Sequence, residues 1–216
     1  MIQRRFRDPV ANAPGSVTLP PLCGSFSSSS HSLISRLLSF VIIHNMNLKD
    51  FLLAEMNREA DRSRHALEQV PEGKSDWKPH EKSMAFGYLT SMVATIPMWI
   101  AMQINQNELD IAPKDGPKFE MKQLNTSAEY IEALDKAVAG AREAFEKTSD
   151  GHLKTNWQLK AGGKVVAEAP RYEVIQDTFG HWAHHRGQMT VYLRLMGAKV
   201  PVLYGPSADD KRFDLA

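Results

Sequence analysis

The chain has 216 residues, enough for one ordinary domain with a full hydrophobic core and a tail. Its 26 basic and 25 acidic side chains nearly cancel, which excludes a long-range field drawing it to nucleic acid or to an anionic membrane surface. The one cysteine, Cys23, excludes a disulfide framework and a Cys-type zinc site and suits a reducing, cytoplasmic setting.

Residues 1–45 are rich in Ser and Pro, carry arginines early and have Asp8 as their only acid, a composition that cannot build a core. The apolar run Leu33–Ile43 is broken by Ser35, Arg36 and Ser39 and falls short of the roughly twenty residues a membrane span needs. The segment reads as a disordered extension or as the product of a mis-assigned upstream start, with Met46 opening the domain proper; an Arg- and Ser-rich targeting peptide is a third reading. The domain is therefore assigned to residues 46–216.

From Asn47 to about Val70 the residues Leu52, Met56, Ala60, Ser63, Leu67 and Val70 step along one face at three- and four-residue intervals, predicting a first helix that ends at Pro71 to Gly73. A second helix is expected to open at Ser83 and run to about Gln106, with Phe86, Leu89, Val93, Ile96 and Ile100 buried and a kink at Pro97. A polar loop with Pro113, Gly116 and Pro117 follows. A third helix, capped by Thr126 or Ser127, should reach Lys147 through Ile131, Leu134, Val138, Ala141 and Phe145. Two β-prone runs around Gly162 and Gly163 read as a small hairpin between helices three and four. The fourth helix opens after Pro170 and closes at Gly197. The expected fold class is all-α, a four-helix bundle, either up-and-down or with a crossover connection.

The last helix carries the chemistry. At about 100° per residue, His181 and His185 sit roughly 40° apart and one turn above each other, so both imidazoles can reach one metal ion. Taking Trp182 as the centre of an apolar arc with Ile175, Phe179, Met189 and Leu193, His185 falls about 60° to one side, His181 about 100° and His184 near 160°, facing solvent. Two histidines on one rigid helix would need a further ligand from a facing helix to complete three. The bland alternative is a pair of ordinary helix histidines. Asp177, one turn before His181, is a candidate acceptor for that ring's distal N–H, or simply an exposed helix acid. Arg186, about 40° from the arc centre, needs a carboxylate from another helix or subunit if it is buried. In the tail, Tyr204 and Pro206 are expected to pack the chain end across the bundle, with Asp209 and Asp210 in water.

The string HWAHHRGQMTVYLRLMGAKVPVLYGPSADD resembles the C-terminal signature of the DinB-like, YfiT-type metalloenzymes, and WKPHEKSMAFGYL with VATIPMW resembles their second-helix region in the same order. The resemblance covers the chain from Met46 to its end. It implies a four-helix bundle with a crossed connection, commonly a homodimer, that holds Zn, Ni or Fe through three histidines. Carried over by position, two of those ligands are His181 and His185. The third falls on Met92, a departure from the usual histidine: a thioether is a weak ligand for Zn or Ni. Methionine is also a common core filler, and His80, in the loop before the second helix, has no counterpart in the family pattern.

Two functions follow as expectations. One is a divalent-metal-dependent enzyme, a thiol-dependent S-transferase or isomerase acting on a low-molecular-weight thiol and a small-molecule electrophile. The other is a non-catalytic bundle with a degenerate metal site that binds a small molecule or serves a stress response.

Overall fold

Asn47 caps the first helix: its side-chain oxygen accepts from the Asp50 amide at 2.8 Å, and α1 runs Leu48–Leu67. The computed structural model describes residues 47–114 and 124–209. The extension with Cys23 and the Leu33–Ile43 run, and also Gly116, Pro117 and Asp210, lie outside the described residues. Every residue assigned to the first helix's inner face, Leu52, Met56, Ala60, Ser63, Leu67 and Val70, is buried. The free amides of Leu48 and Lys49 point to Asp150, whose carboxylate accepts both at 2.9 and 3.0 Å and completes the cap from a distant part of the chain.

The second helical segment opens later than its sequence suggests. It consists of α2, Phe86–Thr95, and α3, Pro97–Asn105, and its first cap residue is Ala85, not Ser83. The incoming loop itself satisfies the first amides: Phe86 N–H donates to the Trp77 carbonyl at 2.9 Å and Gly87 N–H to the Ser75 carbonyl at 2.8 Å. A Cβ on Gly87 would lie 2.8 Å from the Ser75 Cβ, so the loop can dock this closely only on a glycine. Pro97 sits at the head of α3 and divides the segment as expected.

Three residues after α3 comes a strand that the sequence does not announce, β1, Glu108–Asp110. It pairs parallel with β2, Asn156–Ala161, and β2 pairs antiparallel with β3, Lys164–Pro170, in the order β1-β2-β3. The expected hairpin is present, with Gly162 and Gly163 at φ +60° and +81°. Asp110 joins the two parts: its carboxylate accepts from the amides of Ala112, Gly162 and Gly163 at 2.9, 3.0 and 2.6 Å. These bonds, first of all the one from Ala112, hold the carboxyl below its ordinary pKa. Parallel pairing of β1 and β2 requires the intervening chain to return to the same end.

That intervening chain contains α4, Ser127–Lys147, and the single turn α5, Asp150–Leu153. Thr126 is the cap: its hydroxyl accepts from Glu129 N–H at 3.2 Å while Glu129 accepts from Thr126 N–H at 3.1 Å. Ser127, the other candidate, donates instead to the Leu67 carbonyl at 2.8 Å and ties α4 to the end of α1. Thr126→Ala should therefore cost about 1 kcal/mol in urea unfolding, and Ser127→Ala should not act through helix capping.

The last helix, α6, Arg171–Leu195, ends with Ala198 N–H on the Leu193 carbonyl at 2.9 Å and Gly197 N–H on the Arg194 carbonyl at 3.1 Å, Gly197 taking φ +75°. Its first residue, Arg171, is buried with acceptors on three sides: the Asn156 carbonyl at 2.8 Å, the Gln106 carbonyl at 3.1 Å and Asn107 Oδ1 at 2.6 Å. This guanidinium binds the ends of α3 and β2 to the head of α6. Helix α1 packs on α4 and α6, and α2 with α3 packs on the same two helices. The shared core includes Met56, Ile100, Phe145, Trp182, Met189 and Leu193. The described fold is thus predominantly helical, with six helices and a small three-stranded sheet. No helix among the described residues is long and apolar enough to cross a membrane.

Candidate functional site

Helix α6 runs antiparallel to α2 and α3: Tyr192 lies near Phe86, Trp182 meets Val93, and His181 meets Trp99. The Trp182 contact has a chemical cause in the sequence. The Val93 carbonyl would ordinarily accept the amide four residues on, but that residue is Pro97 and has no N–H. The buried indole of Trp182 supplies the missing donor at 2.7 Å. A proline on one helix and a tryptophan on another therefore fix where α6 crosses α2.

That crossing sets the histidines. His181 and His185 bring their Nε2 atoms to 2.7 Å, with ring centroids 4.5 Å apart and planes inclined by 51°. His185 is 5% exposed, whereas His181 is exposed with its ring against Trp99, centroids 5.2 Å apart and nearly perpendicular. His185 Nδ1 contacts Gln188 Oε1 at 2.9 Å. Burial pushes both imidazoles below the ordinary histidine pKa, and the neighbouring imidazoles add to this at both rings, while the Gln188 contact opposes it at His185. The pair is therefore held neutral, the form that coordinates metal.

His184 is exposed, as its position on the helix wheel requires, although its ring stands 5.2 Å from that of His185. Met92 is buried on α2 at 7% exposure, and it shares a face with Trp99, seven residues on. Asp177 makes no hydrogen bond to His181: it is exposed, at the rim of a cavity of about 290 Å³ between α1 and α6 that Leu48, Phe51, Leu52 and Tyr172 also line. His80 stays in its loop, its Nδ1 accepting from Lys82 N–H at 3.1 Å. Among the described residues no three His, Cys, Asp or Glu side chains gather as a metal-binding group. The sequence reading missed Trp99 and Gln188. A glutamine three residues after a histidine on a helix was the available signal for the second.

Arg186, adjacent to the pair, faces the opposite flank and is fully buried. It forms the interhelical carboxylate pair its position called for, with Glu59 of α1. It also donates to the Glu59 carbonyl at 3.1 Å and Ser63 Oγ at 2.9 Å. Burial alone would raise the Glu59 pKa; Arg186, Arg62 and the Tyr204 hydroxyl outweigh it and hold the carboxyl below its ordinary value. Tyr204, its ring largely exposed, reaches this network through its hydroxyl, 3.0 Å from Glu59 Oε2, and Arg62 lies 4.3 Å over its ring. The tail is thereby pinned across α1 and α6, while Pro206 is exposed and Asp209 pairs with Arg194 at the surface.

Two solved DinB-like proteins have a similar fold. One, YjoA from Bacillus subtilis, is 16% identical with a TM-score of 0.55, the match covering 72% of this chain and 99% of that one. The other, from Bacillus cereus ATCC 10987, is 19% identical with a TM-score of 0.55, covering 71% and 95%. At such identity the likeness is one of fold. An uncharacterised protein of Bacillus subtilis (strain 168), YrdA, is 34% identical over 62 residues, a stretch that spans 37% of that relative's length and 27% of this chain. The DinB family model matches residues 44–212, which include every helix, strand and histidine described above, and the chain belongs to the DinB family.

Proposed function

We propose that the protein is a metal-binding member of its family in which His181 and His185 hold one divalent ion, Zn, Ni or Fe, through their Nε2 atoms. The observation that carries this reading is the 2.7 Å approach of two neutral ring nitrogens on successive turns of a rigid helix. Two imidazoles on a tetrahedral ion at Zn–N of about 2.0–2.1 Å would stand about 3.3 Å apart, so the rings need to part by only about 0.6 Å. The donor set fits as a two-point anchor. With no third His, Cys, Asp or Glu gathered among the described residues, the other positions fall to water or to an incoming ligand.

When bound, such an ion supplies Lewis acidity that lowers the pKa of a coordinated thiol, the chemistry of a thiol-dependent transferase or isomerase. The chain's own residues do the rest. Trp99 walls the exposed side of His181 with an apolar face suited to a small organic electrophile, and the buried side of His185 excludes water. We also read α1, α2 with α3, α4 and α6 as the four members of a bundle with a crossed connection, supported by their mutual packing and the parallel β1–β2 pairing. A reducing cytoplasm suits a protein that handles a free thiol.

A second reading, a non-catalytic small-molecule binder, is favoured by Met92, which gives the facing helix a buried thioether in place of a strong ligand. Metal content decides between them. After loading with Zn or Ni and dialysis, the full chain should retain about one ion and His185→Ala should retain none; a wild-type chain that retains none supports the second reading.

A further inference from the structure

We propose that Gln188 is the positioning residue of the histidine pair, fixing the tautomer of His185 so that its Nε2 carries a lone pair and never a hydrogen. The inference rests on the metal reading for its purpose, but its mechanism is a property of the metal-free chain.

The contact is between His185 Nδ1 and Gln188 Oε1, at 2.9 Å. With its amide oxygen turned to the ring, Gln188 accepts, and this orientation assigns the hydrogen to Nδ1 of His185. A neutral imidazole carries one ring hydrogen, and Nε2 of His185 is then a bare acceptor. This settles the second contact. The 2.7 Å approach of the two Nε2 atoms needs a hydrogen between them, and only His181 can supply it. The two rings are thus opposite tautomers: His185 carries its proton on Nδ1 and His181 on Nε2.

The asymmetry matches their surroundings. His185 is 5% exposed and one turn of helix away from the glutamine that holds it, whereas His181 is exposed and can exchange its ring proton with solvent. A cation entering between the rings finds one donor ready at His185. At His181 the proton leaves Nε2 and another is taken up on Nδ1 from water, so the ring stays neutral and no net proton is released. Without the glutamine, the buried ring would divide between tautomers, and the fraction with Nε2–H could not bind until it exchanged. Asp177 cannot serve this purpose because it lies two turns, about 12 Å of helix rise, before His185.

The test uses the uniformly ¹⁵N-labelled full chain, stripped of metal with a chelator and held above the imidazole titration range. Long-range ¹H–¹⁵N correlations should show Nδ1 of His185 protonated and Nε2 not, with the reverse at His181. Gln188→Leu keeps the size of the side chain and removes the acceptor; His185 should then show mixed tautomers, and Zn(II) affinity should fall about 10- to 100-fold at an unchanged thermal midpoint. Gln188→Glu, whose carboxylate can accept the same hydrogen, should restore the tautomer. Two results overturn the proposal: a Gln188→Leu chain in which His185 keeps its proton wholly on Nδ1, or one that binds Zn(II) as tightly as wild type. A wild-type chain that shows the stated tautomers, loses them in Gln188→Leu, and takes up no Zn(II) leaves Gln188 its positioning role and removes only the metal reading.

Discussion

Arg186→Met should lower the free energy of unfolding by about 3–5 kcal/mol at neutral pH, measured by urea denaturation, because it strands the carboxylate of Glu59 in the interior. The side chain of Glu59 is 4% exposed, and Arg186 is its fully buried partner. Arg62 and the Tyr204 hydroxyl still contact the carboxylate, which places the loss toward the lower end of that range. The pH dependence supplies a second check. The folded-state pKa of Glu59 lies below its ordinary value, so the stabilisation is fully present above the unfolded-state pKa of about 4.3 and is lost as pH falls through the folded value. In Arg186→Met the sign reverses: burial raises the Glu59 pKa, protonation relieves the mutant, and the gap to wild type should narrow as the solution is acidified through pH 4. A gap that stays constant with pH would show that the loss comes from packing and not from the charge.

Trp182→Ala should cost a similar amount, about 3–5 kcal/mol, as expected for emptying a fully buried aromatic site. Part of that loss belongs to the hydrogen bond on the Val93 carbonyl, and it can be separated. Trp182→Phe keeps most of the ring and leaves the carbonyl unpaired, for about 1–3 kcal/mol. In a Pro97→Ala background, residue 97 regains an amide that can close on Val93, so Trp182→Phe should cost about 1 kcal/mol less than it does alone. A cycle with no coupling between positions 97 and 182 would mean that the indole N–H does not substitute for the proline's missing donor.

These two residues also show how much of the molecule its sequence exposes. The inner faces of α1, α4 and α6 are legible because Leu52 to Val70, Leu134 to Phe145 and Ile175 to Leu193 repeat with the helical period, and burial follows that period closely. The hairpin is legible because adjacent glycines at positive φ are its turn. Strand β1 is not, since three residues carry no period and its pairing with β2 depends on chain far away in sequence. The start of α2 is misread at Ser83 because a loop carbonyl from Trp77 does what a capping side chain usually does. In the site, helix geometry brings His181 and His185 together and leaves His184 outside, and the burial of Arg186 with a carboxylate follows from its place on the arc. Of the partners of the pair, Trp99 depends on a helix crossing that no spacing rule encodes, while Gln188 stands at a readable three-residue spacing whose contact still depends on a side-chain torsion. Asp177 has the spacing of a partner for His181 but stays exposed and makes no bond to it.

The most direct test of the central claim is X-ray absorption at the zinc edge on the full chain loaded with one equivalent of Zn(II). The account requires two imidazole nitrogens at about 2.0–2.1 Å, with imidazole outer-shell scattering that is lost in His181→Ala and in His185→Ala. A spectrum with no imidazole scattering, or one that the His181 and His185 substitutions leave unchanged, would contradict it.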